Sequence, residues 1–186
     1  MNIKAQHACR SDGGEEFLIK NSPFLAEHKP DEGKYQFLGE GYYLWDENRE
    51  MAHYWGKAHY KNKYAVIEMD IELTENNCLD LVGNRKHMLL ILNFLTRLKD
   101  KGINRENWEL SKCIEYLKKL SSKNPNIFPF NIIKSIDYIS PKLSQKIFFV
   151  QKNNHYTILN PKITLCIIDK KKLSLHTKKI IYFKHQ

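Results

Sequence analysis

Long apolar runs are absent from this sequence. The most apolar stretch, residues 88–92, is ended by Asn93, far short of the roughly 20 residues that a membrane-crossing helix needs. A charged-then-apolar leader is also missing, so the expectation is a cytoplasmic protein with no membrane role. Cysteine is scarce: Cys9, Cys78, Cys113 and Cys166 are scattered with no C-x-x-C. That excludes a zinc knuckle and a disulfide framework and leaves buried thiols as the expectation. The histidines lack metal-ligand spacing, with His53 and His59 set apart and His155 and His176 on polar C-terminal segments. No metal is assigned. Internal repeats and low-complexity segments are likewise missing.

What is present suits one core. At 186 residues the chain fits a single domain better than two. A hydrophobic share of 42%, with 10 Tyr and 9 Phe, supplies enough apolar surface to pack a sheet. Charge is placed unevenly: residues 1–83 hold 9 Lys and Arg against 15 Asp and Glu, and residues 84–186 hold 21 against 6. A general lysine bias would have raised both halves alike. The polarity instead suits a surface for a polyanion, because cations near phosphates release counterions.

Residues 2–9 are expected as a first strand bringing His7 to its end, and residues 10–14 have turn composition. Phe17, Leu18 and Phe24 mark a small packed segment, and residues 27–34, with Pro30, Asp31 and Gly33, an exposed loop. Residues 42–45, preceded by Gly39 and Gly41, predict a buried strand whose entry needs permissive backbone. Asp46 is the predicted N-cap of a helix with Met51, Tyr54, Trp55 and Ala58 on its apolar face, weakened by Gly56. Residues 64–73 alternate apolar with mostly acidic side chains, predicting a half-buried strand with Glu68 and Glu72 in solvent. Residues 85–99 and 106–120 predict two amphipathic helices. Beyond Pro125 the texture turns to short strands at 130–136, 146–150, 156–159, 163–168 and 179–183.

Residues 39–46 read Gly-Glu-Gly-Tyr-Tyr-Leu-Trp-Asp, and Met51-Ala52-His53-Tyr54 follows. This resembles the G-x-G-x-Y-(F/L)-x-(D/S) strand and A-x-Y helix of the diphtheria-toxin and poly(ADP-ribose)-polymerase branch of the ADP-ribosyltransferases, bacterial toxin domains included. The resemblance implies that Tyr43 and Tyr54 clamp the nicotinamide of NAD+. A flat cationic ring between two aromatic faces gains stacking and cation–π attraction, and loses the latter on leaving neutral. It also implies that His7 contacts a ribose hydroxyl while the backbone of Ala8 holds the nicotinamide carboxamide. His7-Ala8-Cys9 departs from the family's His-Gly-hydroxyl pattern at its second and third residues. The family's third motif, a late strand, usually supplies Glu or Gln to the nicotinamide ribose, stabilising an oxocarbenium-like transition state. Residues 163–169 match that strand and place Thr164 where the acid belongs. A transferase whose third residue is not acidic, loss of an acid by substitution, and a different choice of strand all account for it; Glu68, Glu72 and Asp169 are the fallback acids.

The implied fold is α+β, the ADP-ribosyltransferase fold with a split two-sheet β core, flanking helices and a helical insertion at about 84–125 in one domain of residues 1–186. The implied reaction transfers ADP-ribose from NAD+, as co-substrate and without metal, to a macromolecule. The basic half favours nucleic acid, RNA before DNA, over a protein acceptor. Lys170, Lys171 and Lys172 would hold phosphates and Tyr156 would stack an unpaired base. Small enzymes of this kind resemble toxins of toxin–antitoxin or phage-defence modules, which implies a cognate antitoxin as partner. Two other readings stand beside it: an NAD+-binding pseudoenzyme, which Thr164 suits, and a metal-independent ribonuclease toxin working through His and Lys.

Overall fold

The structure, a computed structural model, describes residues 1–61, 63–103, 109–137, 145–149, 155–173 and 176–184. In chain order these form β1 (Asn2–Arg10), α1 (Gly14–Asn21), β2 (Tyr42–Asp46), α2 (Arg49–Tyr60), β3 (Tyr64–Glu72), β4 (Cys78–Asp80), α3 (Arg85–Asp100) and α4 (Leu110–Ser121). Then come β5 (Ile132–Ile136), β6 (Lys146–Phe148), β7 (Tyr156–Ile158), β8 (Ile163–Ile167) and β9 (His176–Phe183). The expected helix start at Glu106 and strand end at Val150 lie outside the described residues.

The chain is α+β. Seven strands make one mixed sheet in the order β4-β5-β8-β2-β1-β3-β9, antiparallel except where β4 runs beside β5. Strands β6 and β7 pair with each other in a separate ribbon. The expected pair of sheets is therefore one continuous sheet, but with a weak joint. β1 follows β3 from Asn2 opposite Glu72 to Arg10 opposite Tyr64. Against β2 its recorded pairs are Ala5 with Asp46 and Gln6 with Trp45. Past Gln6 the two strands part.

Period-two alternation sorts the side chains onto two faces. Ile3, Ala5, Leu44, Ile67 and Leu165 pack on one face with Leu18 of α1. On the other, Ile133 and Cys166 meet Ile91 of α3 and Ile114 of α4, with Tyr43 against the cluster. The helical pair expected as an insertion thus covers the sheet beside Tyr43. Each fully buried aliphatic side chain here contributes about 1.5–3 kcal/mol. Further along the same face, Met51 and Ala52 of α2 pack on Ala8, Trp45 and Val66. All four cysteines are buried free thiols. No helix among the described residues is long and apolar enough to cross a membrane.

Three local expectations change. The cap of α2 is Asn48, whose Oδ1 accepts from Met51 N at 3.0 Å; Asp46 ends β2 and pairs with Lys134 Nζ at 2.6 Å. The seated face of α2 is Met51, Ala52 and Gly56, while Tyr54, Trp55 and Ala58 are exposed. A Cβ at Gly56 would collide with the ring of Tyr64, so glycine lets the helix lie close to β3. Glu68 is not solvated but 2% exposed. Its carboxylate takes Arg49 Nη2 at 2.7 Å, Lys179 Nζ at 3.1 Å and Gln6 Nε2 at 3.1 Å. Burial raises its pKa, but the bonds from Lys179, Arg49 and Gln6 outweigh this and hold it below the usual glutamate value.

Candidate functional site

Where β1 and β2 part, a cavity of about 500 Å³ opens. Strand β1 contributes His7, Ala8 and Cys9, and β2 contributes Tyr43, Leu44 and Trp45. The second half of α2 adds Trp55 and Tyr60, the segments at 24–26 and 35–37 close one side, and Thr164 and Asp137 close another. Of the residues expected at the site, His7, Ala8, Tyr43 and Thr164 border this cavity. Tyr54 is not among its lining residues. Its ring is 50% exposed on α2 and faces Lys162 Nζ at 5.5 Å. Trp55, the next residue, lines the cavity instead, in contact with Trp45 at 6.2 Å between ring centroids.

His7 is held at both ring nitrogens. Nε2 accepts from Phe24 N at 3.2 Å, so Nδ1 carries the proton and donates to Tyr43 O at 2.9 Å. Burial lowers its pKa to about 4; the Tyr43 carbonyl partly offsets this and nearby Lys170 adds to it. The imidazole is therefore neutral, a clasp tying β1, just past its last pair with β2, back to β2 and to the 24–26 wall; His7 lies within the strand rather than at its expected end. Its apolar edge and ring face, rather than a free nitrogen, are what it offers a ligand.

Tyr43 is likewise committed at its hydroxyl, which donates to Gly39 O at 2.7 Å and accepts from Leu38 N at 3.1 Å. Burial pushes its pKa up, and its ring contacts Phe37 at 6.0 Å. The hydroxyl thus locks the turn before β2, with Gly39 in the left-handed region at φ 81°. Gly41 serves a different need. A Cβ there would strike Cys166 Sγ and come within 2.7 Å of Ile167 O, so its bareness lets the chain approach β8.

Thr164 stands opposite Trp45 on one side and Ser135 on the other. It is 4% exposed, and its hydroxyl is buried without a hydrogen-bond partner. Among the cavity's described lining residues the one carboxyl side chain is Asp137, just past the end of β5. Its backbone N donates to Lys162 O at 2.7 Å, extending the β5–β8 ladder. None of the fallback acids lines the cavity: Glu68 is taken up by its ion pairs, Glu72 is exposed, and Asp169 accepts from Lys171 N. Sequence reading passed over Asp137 because it follows an expected strand as an ordinary loop acid. Trp45 and Trp55 were inside the quoted segment but at positions the motif leaves unspecified.

The expected basic contacts separate. Lys170 Nζ donates to Asn21 O at 2.8 Å and Pro23 O at 3.2 Å and lies 5.1 Å from the centroid of Tyr42. It is an internal strut. Lys171 and Lys172 are exposed on the 3-10 turn after β8. Tyr156 sits on the β6–β7 ribbon, with Lys146 Nζ 4.3 Å from its ring centroid. Among the described residues no group of three or more His, Cys, Asp and Glu side chains is placed to hold a metal ion. In comparisons with known proteins, no family model, curated protein or solved structure matches the chain.

Proposed function

We propose that this protein is an NAD+-dependent ADP-ribosyltransferase with the corresponding fold, acting in the cytoplasm as a toxin on a macromolecular acceptor. One observation carries the reading: His7, Ala8, Tyr43 and Thr164, drawn from distant segments by the motif resemblance, border a single aromatic cavity. In the reaction the bond from the ribose C1′ to the nicotinamide nitrogen breaks and its electron pair stays on the ring. Neutral nicotinamide leaves and C1′ becomes an oxocarbenium ion. An acceptor oxygen or nitrogen then gives a lone pair to C1′ and releases its proton to water.

The cavity suits that substrate. Phe24, Tyr35, Phe37, Trp45, Trp55 and Tyr60 supply rings for a flat cation, and among the described lining residues there is no Lys or Arg to repel it. The exposed lysines beyond β8 favour nucleic acid as acceptor, RNA before DNA or protein, and an acidic antitoxin fits the same cations. NAD+ titration by calorimetry, with nicotinamide release followed in parallel, tests this. Wild-type protein should bind and release nicotinamide, and Tyr43→Ala and Trp55→Ala should each weaken binding about tenfold, the value of one stacked ring. Tyr54→Ala should cost less than Trp55→Ala; the reverse order returns the second clamp to Tyr54. No binding by wild type ends the proposal. Binding without release moves the protein to the pseudoenzyme reading, which the neutral Thr164 favours.

A further inference from the structure

An oxocarbenium ion forming at the ribose needs negative charge close by, and the residue in the expected place, Thr164, has none. We propose that Asp137 supplies it, as a catalytic residue on the strand next to the one the motif points to. This rests on the ADP-ribosyltransferase reading and adds to it the group that bears the charge.

The register of β5 on β8 is the main argument. Ser135 lies directly opposite Thr164, and opposed residues of an antiparallel pair share a face. Asp137, two positions beyond Ser135, returns to that face, and its backbone N–H to Lys162 O keeps the two chains in step there. Asp137 and Thr164 are thus diagonal neighbours, and both line the cavity.

The cavity's electrostatics give the second argument. His7 is neutral, the Cys9 thiol is pushed up to about 12 by burial and by Asp12, and the remaining described lining is aromatic, aliphatic, amide or, at Thr164, hydroxyl. Among the described lining residues no other side chain carries a charge, so a cation in the cavity is drawn toward the Asp137 carboxylate. As the glycosidic pair moves onto the nicotinamide nitrogen, positive charge passes from that ring to C1′ and the ring oxygen. Asp137 steadies it there, forming no covalent bond and taking no proton.

The experiment compares wild type, Asp137→Asn and Asp137→Glu by steady-state NAD+ hydrolysis and thermal melting. D137N should lower kcat for nicotinamide release by about a hundredfold, the usual loss when one preorganised charge-stabilising group goes, with KM for NAD+ changed less than about threefold. D137E, which keeps the charge, should recover to within about tenfold of wild type. A side chain that only braced the end of β5 would instead shift KM and the melting temperature in both variants alike. Should D137N fail to fold, Asp137→Ser carries the same expectation. Unchanged kcat in a folded D137N or D137S overturns the inference and leaves the proposed reaction intact. A wild-type protein that releases no nicotinamide removes both, so the two failures are read apart.

Discussion

His7 links its own protonation to the integrity of the cavity wall. In an unfolded chain its imidazole titrates near 6.5, whereas burial, partly offset by the Tyr43 carbonyl, brings it to about 4 in the fold. Between those values the unfolded chain binds more protons, so acid favours unfolding. The contribution is whole above pH 6.5 and declines as pH falls toward 4, by about 2 kcal/mol at pH 5. Urea unfolding at pH 7 and pH 5 checks this. Wild type should lose about that much more than His7→Gln, which keeps a donor and an acceptor but does not titrate. Equal losses would show that His7 is not the titrating group. This residue was legible as the histidine of the first strand, although that strand runs on to Arg10. Its double engagement was not, because Phe24 N and Tyr43 O are backbone atoms that no side-chain pattern announces.

Among elements, the contact of β2 with β8 is the most demanding. Gly41 lies against Cys166 and the Ile167 carbonyl with no room for a methyl group. Gly41→Ala should therefore cost about 1–3 kcal/mol in urea unfolding, as overpacking does; a loss well below 1 kcal/mol would mean the strands can separate freely. The strands and helices themselves were readable. Expected segments at 42–45, 64–73, 85–99 and 163–168 correspond to β2, β3, α3 and β8, since period-two and period-3.6 patterns survive wherever one side faces a core. What misled was partner identity. The row Met51, Tyr54, Trp55, Ala58 has helical spacing, but α2 turns its small residues to Tyr64 and leaves the large rings for the cavity and solvent. Likewise the acidic face of β3 looked solvent-facing, because nothing local says that Arg49 and Lys179 arrive to neutralise Glu68. Neither element reveals the cavity alone.

For the whole molecule, the split between an acidic first half and a basic second half serves pairing within the chain and, on the proposed reading, attraction of a polyanion. Part of the positive charge is taken up by contacts within the chain, where Lys134 meets Asp46, Lys179 meets the buried Glu68, and Lys178 Nζ donates to Ser22 O at 2.5 Å. Exposed cations such as Lys171 and Lys172 are the ones the proposed reading assigns to a polyanion. Reversing both to Glu should reduce ADP-ribose labelling of RNA about tenfold at low salt while NAD+ hydrolysis continues. Label that appears on protein alone, and survives nuclease, would remove nucleic acid as the acceptor. The sheet order also governs when the cavity can first close. Asn48, just after β2, bonds Asn160, just before β8, across 112 positions of chain. At a synthesis rate of about 5–20 residues per second, the walls from β1 and β2 leave the ribosome roughly ten seconds before Thr164 does. Until the last strands arrive the cavity lacks its Thr164 wall, so a nascent chain cannot complete the proposed site, and a ligand of that cavity meets it only after translation is nearly complete.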